Sequence, residues 1–269
     1  APPLGAPPPP PRPPPPPPPH HPPPPPRARP PDPSPPHTSA PHGEWAPGLT
    51  YTLDTVIAGG TAEEHDVSAV GEADLAGLLT GLREVPVRQA ETLGVPRTPP
   101  RSLEALRRMA VHAAERLAAA DEFDPARLLQ LTPPGAAQLA AQAGTAVLAH
   151  HDLKGEHLVV SADGRVRGVL DWTGSVVGDP AEDIAGLALA VGSGAAVRAA
   201  TLAGYGARPC LRGLWLARCD TVIRLTDRLE GRDDSPLPLL RTQLRRAWET
   251  ILLERVTELR EDTEDDDGL

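Results

Sequence analysis

Between Ala1 and Pro41 the chain runs through successive blocks of proline, Pro7 to Pro11 and Pro13 to Pro19 among them, holding most of the 37 prolines of a 269-residue sequence. Proline fixes φ and has no N–H to donate, so such blocks favour solvated polyproline II and build neither helix nor sheet. Residues 1–44 are therefore assigned to no folded domain and read as disordered. Three readings stay open for them: a solvating tail, a ligand for proline-binding modules, and sequence that is not a genuine part of the gene product. The folded mass must come from the remainder of the chain, which is rich in Ala, Leu, Val and Arg and long enough for one sizeable core.

The formal charge is -10, from 26 Lys and Arg against 36 Asp and Glu. That balance argues against a nucleic-acid partner, which calls for a basic stripe. Acid gathers in Glu261, Asp262, Glu264, Asp265, Asp266 and Asp267, and residues 261–269 read as a solvating tail. Cys210 and Cys219 fall in one helical stretch, about 13 Å apart along its axis and too far for a disulfide. They read as small buried residues in a reducing compartment, so the expected location is cytoplasmic. No apolar stretch approaches the roughly 20 residues of a membrane span, the start lacks the apolar core of a secretory signal, and no membrane partner is expected.

Periodicity places the elements. Leu49 to Ile57 reads as a strand ended by Gly59-Gly60. Leu75, Leu78, Leu79 and Leu82 recur at helical spacing within Glu72 to Val85. A second helix is expected from Ser102, its N-cap, to Ala120, with Leu103, Leu106, Met109, Ala110, Ala113 and Leu117 on one face. Shorter helices are expected over Asp124 to Leu131 and Pro134 to Ala143. Three short strands come next, Thr145 to Ala149, Leu158 to Ser161 and Arg165 to Leu170, the last two joined by the turn Ala162-Asp163-Gly164. Beyond Pro180 the pattern returns to helix, near 181–193, 196–206, 210–231 and 235–259. The fold class is α+β, mostly helical with a small β cluster.

The string Ala149-His150-His151-Asp152-Leu153-Lys154-Gly155-Glu156-His157 puts an aspartate in the loop after one strand and a histidine just before the next. Asp171 ends the second strand of the hairpin. Two acceptors and a further ligand so converge at one end of the strand cluster. Phosphoryl transfer asks for such a set: a carboxylate to orient the attacking hydroxyl, and oxygen ligands to hold Mg²⁺ against the phosphates. A rival reading, a hydrolase metal cluster of His150, His151 and His157 with Asp152 and Asp171 beside it, is set aside because the spacing H-H-D-x-x-x-x-H gives no justifiable metal-site geometry and leaves the flanking motifs unexplained.

His150-x-Asp152-x-x-x-x-His157 resembles the H-x-D-x-x-x-x-N catalytic loop of the kinase fold, and Val169-Leu170-Asp171-Trp172 resembles the metal-binding strand of the aminoglycoside phosphotransferase family. Gly178-Asp179-Pro180-Ala181-Glu182-Asp183-Ile184-Ala185 is similar to the G-D-P-x-x-D-[LI]-A element that opens the next helix in that family. The resemblance implies a protein-kinase-like fold, of which this chain carries the hinge and the C-lobe. It also implies roles. Asp152 is the catalytic base, Lys154 contacts the transferred phosphate, and Asp171 is the principal Mg²⁺ ligand. His157, in the asparagine's place, either contacts metal and cofactor or hydrogen-bonds Asp152 or a phosphate. His150, Asp179 and Asp183 are structural supports: His150 braces the loop, Asp179 caps the helix that Pro180 begins, and Asp183 anchors the loop. The implied cofactors are ATP and Mg²⁺. The implied partner is a small-molecule hydroxyl acceptor such as an aminoglycoside, another sugar or an amino alcohol, with Glu182, Asp220, Asp227 and Asp233 as candidate contacts to a cationic one.

The chain departs from the family pattern twice. Imidazole is a poorer Mg²⁺ ligand than an amide oxygen. Between the proline blocks and Ser102 there is no glycine-rich nucleotide loop and no lysine, Lys154 being the only one in the sequence. The N-lobe is therefore expected to be truncated, with a hinge strand, linker helix and loop over 45–100 and the C-lobe over 101–260. The expected function is ATP-dependent phosphotransfer to a small polar molecule, with weak nucleotide binding. The alternatives are a catalytically impaired remnant acting as a binding module and a protein kinase, the latter disfavoured because no A-P-E element comes after Asp171.

Overall fold

The computed structural model of the protein describes residues 42–46, 49–52 and 56–251. The proline blocks and the acidic tail lie outside the described residues.

A hairpin comes first. Strand β1 (His42–Ala46) pairs antiparallel with β2 (Leu49–Thr52), with an irregularity between Glu44 and Ala46. The expected strand to Ile57 therefore stops short, and Val56 is exposed. Gly60, expected to end a strand, instead begins β3 (Gly60–Thr61). Gly59 makes this possible: it sits at φ +149, and a Cβ there would lie 2.7 Å from the carbonyl oxygen of Val160, so only glycine lets the chain close onto the neighbouring strand.

Helix α1 (Ala69–Glu84) starts at Ser68, whose hydroxyl accepts the Gly71 N–H and donates to the carbonyl of Gly164. The cap thus also ties α1 to the Asp-Gly turn, and Leu75, Leu78, Leu79 and Leu82 all face the core. Pro86 follows the end of the helix, and a separate short helix, α2 (Val87–Thr92), comes after it. Helix α3 (Leu103–Ala119) is capped by Ser102 through the Ala105 N–H. Met109, expected to face inward, is 55 % exposed, while Ala114 is buried. At about 100° per residue Met109 stands roughly a quarter turn from the centre of the buried stripe, and Ala114 lies within it. A 3₁₀ turn (Pro125–Gln130) and α4 (Pro133–Gln138) stand where two short helices were expected.

The next strands are β4 (Val147–Ala149), β5 (Leu158–Val160), β6 (Val166–Val169) and β7 (Val176–Gly178). They form two antiparallel sheets rather than one cluster: β3-β5-β6, and β4 with β7. The register decides where the polar loops go. Leu158 pairs with Val169 and Ala149 with Val176, so the loop from β4 to β5 and the loop from β6 to β7 lie side by side.

The rest is helical: α5 (Ala181–Val191), α6 (Ser193–Leu202), α7 (Ala207–Leu229) and α8 (Leu237–Ala247). Both cysteines lie buried and unbridged in α7. No helix among the described residues is long and apolar enough to cross a membrane. Helices α5 and α7 form the centre of the core, and Gly213 sets their approach: a Cβ there would meet Ile184 Cγ2 at 2.7 Å and the Ala181 carbonyl oxygen at 3.1 Å. Gly213→Ala should destabilise the fold by about 1–3 kcal/mol through overpacking. Gly81→Ala, where a Cβ meets nothing within 4 Å, should stabilise α1 by about 0.5–1 kcal/mol. Urea unfolding separates the two, and equal effects would contradict the close α5–α7 contact.

Candidate active site

The loop after β4 is held from beneath before it reaches solvent. His150 is fully buried, and its Nε2 lies 2.9 Å from the carbonyl oxygen of Leu170. A carbonyl only accepts, so Nε2 carries the proton and Nδ1 is left to accept the Asp152 N–H at 3.3 Å. Burial keeps the His150 pKa below its ordinary value, in keeping with a neutral ring. The ring meets Trp172 edge-on at 4.8 Å, and the Leu170 N–H donates to the His157 carbonyl, so the two loops are joined at several points.

Asp183, in the first turn of α5, accepts the backbone N–H groups of His150 at 2.8 Å and His151 at 2.7 Å. His151 has φ +68, a left-handed conformation that costs a non-glycine residue energy and that these bonds help to hold. Burial pushes the Asp183 pKa up to about 7, against the two amide bonds that favour its charged form. Asp179 caps the same helix: one carboxylate oxygen accepts the Ala181 N–H at 3.0 Å, and the other pairs with Arg212 Nε at 2.5 Å. That partner, from α7, carries no sequence signal.

Beyond these anchors the loop carries its polar side chains to an open edge. Lys154 Nζ is 3.0 Å from Asp152 Oδ2 and 3.9 Å from Glu156 Oε1. His157 Nδ1 is 2.7 Å from the Asp152 backbone oxygen, so it carries the proton, and in the neutral ring Nε2 keeps its lone pair. Nε2 lies 3.7 Å from Asp171 Oδ2 and 3.7 Å from Glu156 Oε1, while Nδ1 is 3.7 Å from Asp152 Oδ2. The Asp152 and Asp171 carboxylates therefore flank one imidazole, with side chains 37 % and 42 % exposed. Asp171 is left-handed (φ 58, ψ 66). Its Oδ1 accepts the Thr173 hydroxyl at 2.5 Å, which holds its pKa below the ordinary carboxylate value.

Six of the seven residues to which the resemblance gave roles meet in one region: Asp152, Lys154, His157 and Asp171 at the edge, and His150 and Asp183 below it. Asp179 lies apart, beyond the far end of β4, and reaches the site only through the first turn of α5. Glu156 and Thr173 join them without having been foreseen. Their signal was adjacency alone, one residue before His157 and two after Asp171. The acidic residues considered for a cationic acceptor are otherwise engaged. Arg101 takes both Glu182 and Asp220, Arg232 takes Asp227, and Arg224 and the Ser235 N–H take Asp233.

Among the described residues no three His, Cys, Asp or Glu side chains stand together as a ready metal cage. What is present is an ionised carboxylate, Asp171, and the His157 Nε2 nitrogen 3.7 Å from it. Two ligands of one ion, each at about 2.1 Å, can span that separation. Asp171 offers the hard oxygen donor that Mg²⁺ prefers, and the His157 nitrogen is the poorer ligand of the two, so such an ion would draw most of its ligands from phosphate oxygens and water.

A family model described as a phosphotransferase enzyme family matches residues 27–214. Among solved structures, the GDP complex of wild-type aminoglycoside 2'-phosphotransferase-IIIa is similar with a TM-score of 0.50 and 18 % identity, over 78 % of this chain and 74 % of that one. Macrolide 2'-phosphotransferase type I aligns at 0.45 and 19 %, over 72 % and 68 %. The GDP and kanamycin complex of APH(2")-IIia aligns at 0.49 and 18 %, over 82 % and 75 %. No curated protein matches in sequence. The first structural likeness is one of fold, mostly helical and kinase-like.

The raised pKa of Asp183 gives a pH signature. The folded chain holds this proton up to about pH 7, whereas the ordinary value is 3.8, so between those limits the folded state binds more protons than the unfolded one. Stability due to this group therefore falls as pH rises from 3.8 to about 7. Asp183→Asn should flatten the fall, measured as unfolding free energy against pH. Identical slopes in the two proteins would contradict the assignment.

Proposed function

The chain belongs to the phosphotransferase enzyme family, and on that premise we propose that it transfers the γ-phosphate of ATP to a hydroxyl of a small polar molecule. The observation that carries the reading is the pair of carboxylates on either side of His157. In this reading 45–100 serve as hinge strand, linker helix and loop, and 101–260 as the C-lobe.

Asp152 Oδ1 or Oδ2 takes the acceptor hydroxyl's proton and aims its oxygen at the phosphorus. Lys154, beside that carboxylate, supplies a positive charge where negative charge grows on the transferring group. His157 has two tasks, one per nitrogen: Nδ1–H fixes the loop through the Asp152 carbonyl, and Nε2 faces the metal position with Asp171. Mg²⁺, held by Asp171 and His157, would neutralise and orient the nucleotide's phosphate oxygens. Glu156, also 3.7 Å from Nε2, adds negative charge at the same edge.

A second reading, a binding module without turnover, is favoured by one observation. Lys154, in the loop after β4, is the only lysine, so the sequence offers no strand lysine to hold the α- and β-phosphates.

Two substitutions separate the readings. Asp152→Asn should leave nucleotide affinity within about twofold and lower transfer by roughly 10²–10⁴-fold. Asp171→Asn should weaken Mg²⁺-dependent nucleotide binding, read by calorimetry. Transfer by Asp152→Asn at the wild-type rate would remove Asp152 from the chemistry. Nucleotide binding with no transfer by the wild type, to any of a panel of aminoglycosides and macrolides, would favour the binding module.

A further inference from the structure

Arg212 lies on α7, far along the chain from the catalytic loop, and its side chain is only 3 % exposed. Each of its three nitrogens is committed. Nε pairs with Asp179 Oδ2 at 2.5 Å, Nη1 donates to the Leu139 carbonyl at 3.1 Å, and Nη2 donates to the Arg101 carbonyl at 2.8 Å. Arg101 is itself a bridge. Its Nε and Nη2 fork onto Glu182 at 2.9 and 2.6 Å, and its Nη1 and Nη2 reach Asp220 at 2.8 and 2.9 Å. The Arg212 guanidinium thus grips the backbone of Arg101, and the Arg101 guanidinium grips α5 and α7 together.

Both arginines act on the same short segment. Asp179, Glu182 and Asp183 fall within the first turn of α5 and its cap. The first two carboxylates point to Arg212 and Arg101, and the third accepts the His150 and His151 amides. We infer that Arg212, assisted by Arg101, is a positioning residue for the catalytic loop, setting the place of Asp152 through the first turn of α5. The inference rests on the reading of Asp152 as the carboxylate that does the chemistry.

The physical case is one of geometry rather than of stability. A buried Arg–Asp pair gains little over a well-packed apolar pair, because both ions are desolvated. Its particular property is direction: a planar fork with fixed angles holds a carboxylate and two carbonyls in one arrangement, which a methionine or a lysine cannot do. The turn so fixed presents Asp183 to two amides at 2.7 and 2.8 Å, distances that a small rotation of the helix would spoil. The left-handed His151 is one of the two residues so anchored, and a loosened anchor lets the loop relax to an ordinary conformation there.

The test uses hydrogen exchange together with kinetics on the full chain. In Arg212→Met the amides of His150 and His151 should exchange about tenfold faster or more, with those of α3 and α8 unchanged. The turnover number should fall while KM for the nucleotide stays within about twofold. Arg212→Lys, which keeps the charge and loses the fork, should recover only part of both. Where Arg212→Met fails to fold, Arg101→Gln carries the same test through Glu182, its side chain being 36 % exposed. Wild-type exchange at His150 and His151 in either folded variant overturns the inference. Because exchange needs no substrate, a wild type without turnover would remove the proposed function and leave this test standing.

Discussion

Two backbone amides and one buried carboxylate set the geometry of this site. The Asp183 side chain accepts from His150 and His151, and everything the loop presents to solvent depends on where those two residues are held. Such an arrangement is costly on both sides. A carboxylate in the core loses its hydration, seen in its pKa near 7, and His151 is held in a left-handed conformation worth about 1–3 kcal/mol of strain. It persists because the surroundings leave few alternatives. Helix α5 is locked against α7 at Gly213, and His150 is wedged between Trp172 and the Leu170 carbonyl.

The exposed part of the site is assembled by strand register. Two small sheets, paired at Leu158 with Val169 and at Ala149 with Val176, bring two loops together that are separate in sequence. His157 then joins them, one nitrogen to the Asp152 carbonyl and the other toward Asp171. The imidazole thus spans both loops, with a different neighbour at each ring nitrogen.

Much of this was legible in the sequence, because its signals are local. The leucines of α1 repeat at helical spacing, Ser102 stands before its helix as a cap, and Asp163-Gly164 marks its turn. The loop residues from His150 to His157 and the aspartates at 171, 179 and 183 were readable as a set through the resemblance of three short motifs to those of one family. What escaped was either too short or too distant. Strand β7 is three residues long and cannot show alternation, α2 is a fragment set off by Pro86, and Met109 sits a quarter turn off a stripe that alanines share. The pairing of Arg212 with Asp179, and of Arg101 with Glu182 and Asp220, joins residues remote in sequence, and arginines in an arginine-rich chain carry no mark of their partner. The acidic residues named as candidate contacts to a cationic acceptor, Glu182, Asp220, Asp227 and Asp233, each carry an arginine partner of the same remote kind or a nearby one.

The central claim is that one carboxylate holds both amides. Backbone amide shifts tracked from pH 5 to 9 by two-dimensional NMR test it directly. The account predicts that the His150 and His151 amide protons move together through a single step near pH 7, as Asp183 ionises and strengthens both bonds. One amide shifting without the other, or the two titrating with unrelated midpoints, would contradict it.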